Sequence, residues 1–474
     1  MSQVRRIGIP QCGWWSGACR VAGIEAIAMP LARGDDGNPH SARIEARMQS
    51  GAEMARVERA TPTDFWLDNG GAGLAFVVNP DDADEIQPVH EAAGRILVSH
   101  YIDPLVTCFQ GMHWHSAWQC LQSRTWVKAV WDRAQAIELE RFGVPHVIHL
   151  PMAAPIADYD TRPVDVNAIE NEVSFVGAQN TSYFHADHVA STEALLPGTL
   201  AHAVHADLPE ITFYDVYHDM YALAEPPAES DDLVTRAGKT ERYFVAKLFY
   251  HASLCLRNRD RWIVFLKRRL GERFRLIGQR WDVAYGLDCE PPLPTHEAYL
   301  AHFRRTAVNL NFINGNAETG VNMRAFEITA AGGFLLCPYQ PELEECFEIG
   351  AECDVFRTEE ELLQKIEFYI EHPRRRIDVA LAGQRRTLSQ HLYSHRLETV
   401  LRAVGRLEER LRSHSDGQKT AGDAAAPRES VAGAAVGGPA ARADRAGMSD
   451  RSAAAPAERI AAGLIDNAPA PSAT

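Results

Sequence analysis

Short apolar runs recur along this chain, separated by segments in which apolar residues follow helical spacing. Runs of this kind, rich in β-branched residues and bounded by Gly, Pro or Asn, are typical of buried strands. Strands that alternate with helices predict an α/β fold built on parallel sheets. The predicted strands are residues 4–9, 74–78, 96–101, 126–131 and 147–150, followed by 172–177, 274–277, 308–313 and 334–337.

The predicted helices lie between and after these strands. Asp132 is expected to cap a helix that ends at Phe142, and residues 11–17, with two glycines and two tryptophans, are predicted to form a loop. The other predicted helices are residues 242–256, 260–270, 296–304, 322–331, 359–372, 374–391 and 393–411.

The same pattern divides the chain into parts. Residues 1–165 predict an N-terminal Rossmann-like domain, and residues 172–412 a second α/β domain with an insertion at about 178–245. Residues 413–474 are rich in Ala, Gly, Pro and Ser and have few large apolar side chains, which predicts a disordered tail. That tail is one candidate for contact with a partner.

Composition narrows the class of protein. A formal net charge of −15 argues against general binding of nucleic acid or anionic membranes. The nine cysteines include no CxxC pair, which suits a reducing compartment. No apolar run is long enough to span a membrane, and the N-terminus lacks the apolar stretch of a secretory signal. The expected location is the cytoplasm.

Residues 306–338 hold the densest set of candidate functional residues. They predict a strand, a loop at 314–320, a helix from Asn322 and a turn at Gly332-Gly333 before the next strand. A helix that begins behind a glycine-containing loop is a natural anion site. Glu327 lies about 7 Å along the axis from Asn322, so one sugar nucleotide would fit with its diphosphate at the helix tip and its ribose on Glu327. The alternative is a surface ion pair of Arg324 with Glu327 behind an ordinary cap.

The first domain offers candidates for a general base. Asp103 follows the strand at 96–101, and His100, His113 and His115 lie on the same predicted edge. Alternatives are an Asx-type turn before proline at Asp103 and a polar loop with a tryptophan anchor at His113.

Two patterns raise the question of a metal. Residues 82–84 spell D-x-D but follow Asn-Pro, which favours an acidic turn. Residues 185–188 and 202–205 each spell H-x2-H, without the helical spacing or cysteines usual for zinc. We therefore expect no metal and no other cofactor.

The second domain resembles a known family. The sequence GVNMRAFEITAAGGFLLCP, the EEL junction at 360–362 and the HPRRR segment at 372–376 resemble bacterial glycosyltransferases related to the spore-maturation protein CgeB. These are group-one sugar-nucleotide transferases with the GT-B fold, two facing Rossmann-like domains with a cleft between them. The resemblance covers residues 173–411 apart from the insertion, and it is weaker over the first domain, where Ile102-Asp103-Pro104 and residues 130–154 carry it.

The resemblance implies roles for particular residues. Glu327 matches the second glutamate of the Glu-x7-Glu pattern of many retaining members, whereas Glu318 lies nine positions before it and is out of register. The stereochemistry is therefore left open. The acceptor would sit on the first domain, with Asp103, His113 and Glu327 as catalytic candidates. The donor-binding candidates are Gly177, Arg280, Thr319, Gly320, Asn322, Arg324 and Glu327.

Together these features predict a glycosyltransferase of hexosyltransferase type, independent of metal, that uses a nucleotide-diphosphate sugar and an unidentified acceptor. Two alternatives remain at this point. One is a non-catalytic sugar-nucleotide-binding or coat-assembly protein that keeps the donor pocket. The other is a GT-B-like sugar-nucleotide epimerase.

Overall fold

The computed structural model describes most of the chain. It covers residues 4–10, 13–79, 82–109, 112–179, 211–215 and 259–422, with 231–232, 235, 238–241, 243–244, 247 and 250–251 between them. The two H-x2-H pairs and the tail beyond residue 422 lie outside the described residues, as do the predictions made for them.

The first half is built on a parallel sheet of six strands in the order β2-β1-β3-β6-β7-β8. Its central strands are buried along their whole length, as expected when helices cover both faces. The strands are β1 (Arg6–Ile9), β2 (Glu25–Ala28), β3 (Phe65–Asn69), β6 (Leu97–Tyr101), β7 (Trp126–Val130) and β8 (Val147–His149). The helices are α1 (Gly13–Val21), α2 (Ile44–Ala60), α3 (Val89–Ala92), α4 (Trp114–Leu121) and α5 (Arg133–Arg141).

Two predictions for this half were wrong, and strands β2, β3 and β5 (Asp82–Pro88) were not predicted. Strand β3 was missed because Asp68 and Asn69 are polar, yet the Asp68 carboxylate is buried and accepts bonds from the backbone of Gly71 and Gly73. The segment predicted as a loop at 11–17 holds the start of α1. The strand predicted at 74–78 is β4 (Phe76–Asn79), which pairs antiparallel with β5, so the D-x-D at 82–84 lies in a strand instead of a turn.

The second half is a parallel sheet of five strands in the order β10-β9-β11-β12-β13, and here the predicted strands are confirmed to within a few residues. Among the described residues of this half, the strand not predicted is β13, of three residues. The strands are β9 (Asn171–Val176), β10 (Phe274–Ile277), β11 (Thr306–Leu310), β12 (Leu335–Pro338) and β13 (Asp354–Phe356). The helices are α6 (Arg261–Leu270), α7 (Trp281–Tyr285), α8 (His296–Arg304), α9 (Met323–Ala330), α10 (Leu343–Cys346), α11 (Glu359–Glu371), α12 (Pro373–Gln390) and α13 (Tyr393–Gly422).

The last helix returns to the first half. Tyr393, at the start of α13, packs its ring 5.4 Å from Trp14 and 5.0 Å from Trp15. Arg396 donates to the carbonyl of Pro151 at 2.8 Å. Residues 1–405 form one compact unit and residues 406–474 a second. Helix α13 continues to Gly422, so the first part of the segment predicted as a tail is helical.

The described part of the insertion joins the core of the first half. Phe213, Tyr243 and Phe244 are buried in the same apolar cluster as Trp118 and Phe142. The Phe142 ring lies 4.8 Å from Tyr243 and 5.7 Å from Phe244. Aromatic contacts at these distances are stabilising beyond the area they bury. These insertion residues are therefore part of the first half's packing.

Helix α2 packs so closely against β4 that position 51 has room only for glycine. A methyl group there would overlap the backbone carbonyl of Phe76. We expect Gly51→Ala to destabilise the protein by about 1–3 kcal/mol, seen as a lower urea denaturation midpoint. Gly13→Ala is the matched control, because nothing lies within 4 Å of its added methyl. Equal midpoints for the two variants would contradict the packing described.

Candidate active site

Helix α9 begins at the carboxyl edge of the second sheet, directly after the loop that follows β11. Asn322 caps it by accepting the Ala325 N–H at 3.4 Å, and Asn311 fixes that cap by donating to Asn322 Oδ1 at 2.8 Å. Residues 322–324 are only half-buried. The first turn of α9 therefore keeps an accessible face with N-terminal helix polarity, as the sequence predicts.

Glu327 lies one turn further in and is 5% exposed. Its Oε2 is 2.7 Å from Arg324 Nη1, and its Oε1 is 3.8 Å from His296 Nδ1. Burial and the Glu327 carboxylate both raise the pKa of Tyr159, so this tyrosine of the connecting segment is close to Glu327. The Arg324 guanidinium lies 4.7 Å from the Tyr299 ring centre. A carboxylate, a cation and aromatic rings thus meet at one edge.

Thr319 and Gly320 lie against the first half. Thr319 Oγ1 donates to Asp132 Oδ1 at 2.6 Å and is 2.7 Å from Glu342 Oε1, and Thr319 N donates to Asp132 Oδ1 at 3.1 Å. A side chain at Gly320 would meet Trp131 and the backbone of Asp132. In this structure both residues make contacts between the halves, and their role in binding a donor stays a prediction.

Glu318 is fully buried and bonded away from the α9 tip. Lys247 Nζ lies 3.0 Å from its Oε1, and the N–H of Phe213 donates to its Oε2 at 2.5 Å. Phe213 belongs to the insertion, and Lys247 lies just beyond it. This placement agrees with the register of the sequence, in which Glu318 does not match the first family glutamate.

Lys247 also pairs with Glu138 at 2.7 Å, so two buried carboxylates share one lysine, and the charge of Asp132 acts on it as well. Burial raises the pKa of Glu138 to about 7, against the opposing charge of Lys247. Burial also raises the pKa of Asp132, helped by Glu342 and Glu318. Burial by itself would lower the pKa of Lys247, but Glu138 and Glu318 raise it above the usual value. We call Asp132, Glu138, Lys247 and Glu318 the interdomain charge cluster.

The base candidates of the first half differ in access. Asp103 is half-buried and its Oδ1 accepts from Asn316 Nδ2 at 3.3 Å, so it faces the loop before α9. His113 is exposed at the N-terminal end of α4, and His115 is exposed in its first turn. His100 is fully buried, bonds the Leu150 carbonyl at 2.9 Å and has its pKa lowered to about 4 by burial. His100 is therefore a core residue, and the hypothesis that it acts as a base is wrong.

The carboxyl ends of β9 and β10 form a second part of the same edge. The Gly177 carbonyl accepts from Trp281 Nε1 at 2.8 Å, and a side chain at Gly278 would overlap that carbonyl. Arg280 is exposed and adopts a left-handed backbone with φ of 71°. Because β9 pairs with both β10 and β11, the Gly177 and Arg280 loops neighbour the loop before α9.

Sequence reasoning missed His296, Tyr159 and Lys247. Each meets its partner only through tertiary packing, and none belongs to a motif. Within the described residues, no three or more His, Cys, Asp or Glu side chains gather as a metal site would require. No helix in the part of the chain that was searched is long and apolar enough to cross a membrane.

A family model matches part of the chain. Residues 257–402 match the family described as Glycosyl transferase-like. No curated protein matches the chain.

Similar solved structures include Anabaena Alr3699/HepE in complex with UDP, at 12% identity and a TM-score of 0.37, covering 86% of this chain and 92% of that chain. Sucrose-phosphate synthase from Thermosynechococcus elongatus has 12% identity and a TM-score of 0.42, covering 86% and 100%. The UDP-forming trehalose-phosphate synthase from Burkholderia xenovorans has 10% identity and a TM-score of 0.41, covering 86% and 100%. Scores this low support no transfer of residue roles.

The two parallel sheets meet through their carboxyl ends, where Asp103 and Asp132 contact the loop before α9. This is the GT-B arrangement of two Rossmann-like domains. With the family match over residues 257–402, the function is that of a glycosyltransferase, and its acceptor is unknown.

The interdomain charge cluster predicts how stability depends on pH. With its pKa raised from 4.5 to about 7, Glu138 is more protonated in the folded than in the unfolded protein across that interval. Its contribution is complete below the unfolded pKa and is lost as the pH rises through about 7. We expect Glu138→Gln to remove a fall in stability of about 1–3 kcal/mol from this window, measured by urea denaturation at a series of pH values. The exposed neighbour Glu140→Gln is the control, and equal pH slopes in wild type and Glu138→Gln would refute the assignment.

Proposed function

We propose that this glycosyltransferase takes its sugar from a nucleotide-diphosphate donor bound mainly to the second half, and that it is of the CgeB-like type. The observation that carries the proposal is the pairing of buried Glu327 with Arg324 one turn inside the half-exposed start of α9. A carboxylate there accepts hydroxyls, and a helix start with a cation binds phosphate.

Donor binding would use both parts of the carboxyl edge. Asn322, Arg324 and Arg280 would contact the diphosphate, with the Gly177 loop close to it, and Glu327 would contact the ribose. Thr319 and Gly320 would help to bind the donor by fixing the loop before α9 against Asp132. They would contact the donor directly if it replaced their contacts with the first half.

The transfer step needs charge stabilisation on the leaving diphosphate and a base for the acceptor hydroxyl. Arg324, the α9 start and Arg280 supply positive charge and N–H donors for the first task. Asp103 is the best-placed base because it faces the loop before α9, and exposed His113 is the second candidate. Glu327 would orient the donor. Independence from metal and from other cofactors stays a prediction.

The proposed location and partners rest on less specific observations than the donor site. The seven described cysteines are free thiols, which supports a reducing compartment such as the cytoplasm. The partners we propose are the donor and an unidentified acceptor, with the tail as a further contact and without nucleic acid.

Replacing Glu327 tests the ribose contact. We expect Glu327→Gln to weaken nucleoside diphosphate binding about 10-fold or more, because an amide keeps the shape but loses the charged acceptor. Isothermal titration calorimetry across ADP, CDP, GDP and UDP measures it, with the urea denaturation midpoint as a folding check. Unchanged affinity in a folded variant would remove the assignment. Analysis of sugar products with and without acceptor mixtures then separates transfer from epimerisation.

Replacing Arg324 tests the diphosphate contact. We expect Arg324→Ala to weaken binding of a nucleoside diphosphate more than binding of the bare nucleoside, since only the former carries the charge that a guanidinium pairs with. Arg305→Ala is the control. Arg305 follows the C-terminal end of α8, away from the start of α9, and pairs there with Glu170 at 3.1 Å. Equal losses for both ligands would contradict the role.

A further inference from the structure

His296 lies near the start of α9, at the carboxyl edge of the second sheet. Neither the sequence analysis nor the family match assigns it a role. It is the first residue of α8, whose start is fixed by Thr295, which accepts the Ala298 N–H at 3.2 Å. Helix α8 runs between β10 and β11, so its first residue lies at the carboxyl edge, beside the start of α9. The position of His296 is therefore set by two secondary-structure elements of the donor half.

The two oxygens of Glu327 have unequal partners. Arg324 is in direct contact with Oε2 at 2.7 Å, whereas His296 Nδ1 is 3.8 Å from Oε1, beyond hydrogen-bond distance. Arg324 is further fixed by the Tyr299 and Phe303 rings, at 4.7 and 5.5 Å. Oε2 is thus in an ion pair with Arg324, although it makes no hydrogen bond among the described residues, and Oε1 faces the imidazole beyond hydrogen-bond distance.

The other imidazole nitrogen supplies an independent observation. His296 Nε2 is buried and has no hydrogen-bond partner among the described residues, although a third of the His296 side chain is exposed. A buried polar atom without a partner costs free energy. Such atoms in a folded protein call for an explanation, and a role in accepting a hydroxyl group is one.

We propose that His296 and Glu327 together form a two-acceptor site for a pair of neighbouring hydroxyls on the donor. The 2′-hydroxyl donates to His296 Nε2 and the neighbouring 3′-hydroxyl to Glu327 Oε1, with Nδ1 carrying the ring proton toward the carboxylate. The cis-diol of a ribose presents two neighbouring donors, and a 2′-deoxyribose presents one. The inference rests on the proposed function and adds to it that this edge selects ribo- over deoxyribonucleotides.

The test compares one ribonucleoside diphosphate, the tightest binder among ADP, CDP, GDP and UDP, with its 2′-deoxy counterpart. In calorimetry, the wild-type protein should bind the ribonucleoside diphosphate at least about 10-fold more tightly than the 2′-deoxy form, because the deoxy form leaves one buried acceptor unpaired. His296→Phe should bring this ratio close to one, mainly by weakening the ribo form. His296→Gln, which keeps an acceptor, should retain part of the preference.

His372→Phe is the control for replacing a histidine ring, since His372 is exposed beyond the end of α11. A folded His296→Phe variant that keeps the wild-type ratio, while Glu327→Gln still weakens binding, would overturn the role of His296 and leave the proposed function standing. If no nucleoside diphosphate binds wild type, both are overturned. Should His296→Phe fail to fold, the same ratio measured on His296→Gln decides, and an unchanged ratio there rejects the proposal.

Discussion

The buried carboxylate of Asp132 is the constraint on which the arrangement of the two halves depends. It caps α5 in the first half through the Ala134 N–H at 3.3 Å, and it also accepts the N–H groups of Glu318 and Thr319 at 2.9 and 3.1 Å. A charge removed from water is tolerated only when such donors surround it. The loop that leads into α9 is therefore fixed to the first sheet by backbone groups, before any side chain contributes specificity.

This constraint explains why the candidate site is divided among distant segments. The loop before α9 meets Asp132 on one side, and on the other it meets Phe213 of the insertion and Lys247 just beyond it. Glu318 is used to hold that assembly together, and Glu327, nine residues later, faces His296 and Arg324. Two glutamates that look alike in sequence thus have different surroundings, one structural and one available to a ligand.

Local sequence signals predicted part of this correctly. The helix from Asn322, its cap and the neighbourhood of Arg324 and Glu327 depend on three- and four-residue spacing, which is a property of one helix. Strand β3 was not predicted, because the burial of its Asp68 depends on backbone N–H donors of the following turn. The role of His100 escaped for a similar reason, since only packing against Trp15 and the Leu150 carbonyl makes it a core residue.

The amino-acid sequence by itself determined the alternation of strands and helices and the resemblance of the second half to a glycosyltransferase family. It also determined the order of Asn322, Arg324 and Glu327 along α9. These follow from hydrophobic periodicity and capping, which act over a few residues. Only the tertiary structure decided that Thr319 and Gly320 contact the first half and that His296 stands opposite Glu327. Such contacts join residues far apart in the chain, and their geometry is fixed by how two sheets pack, which no local pattern encodes.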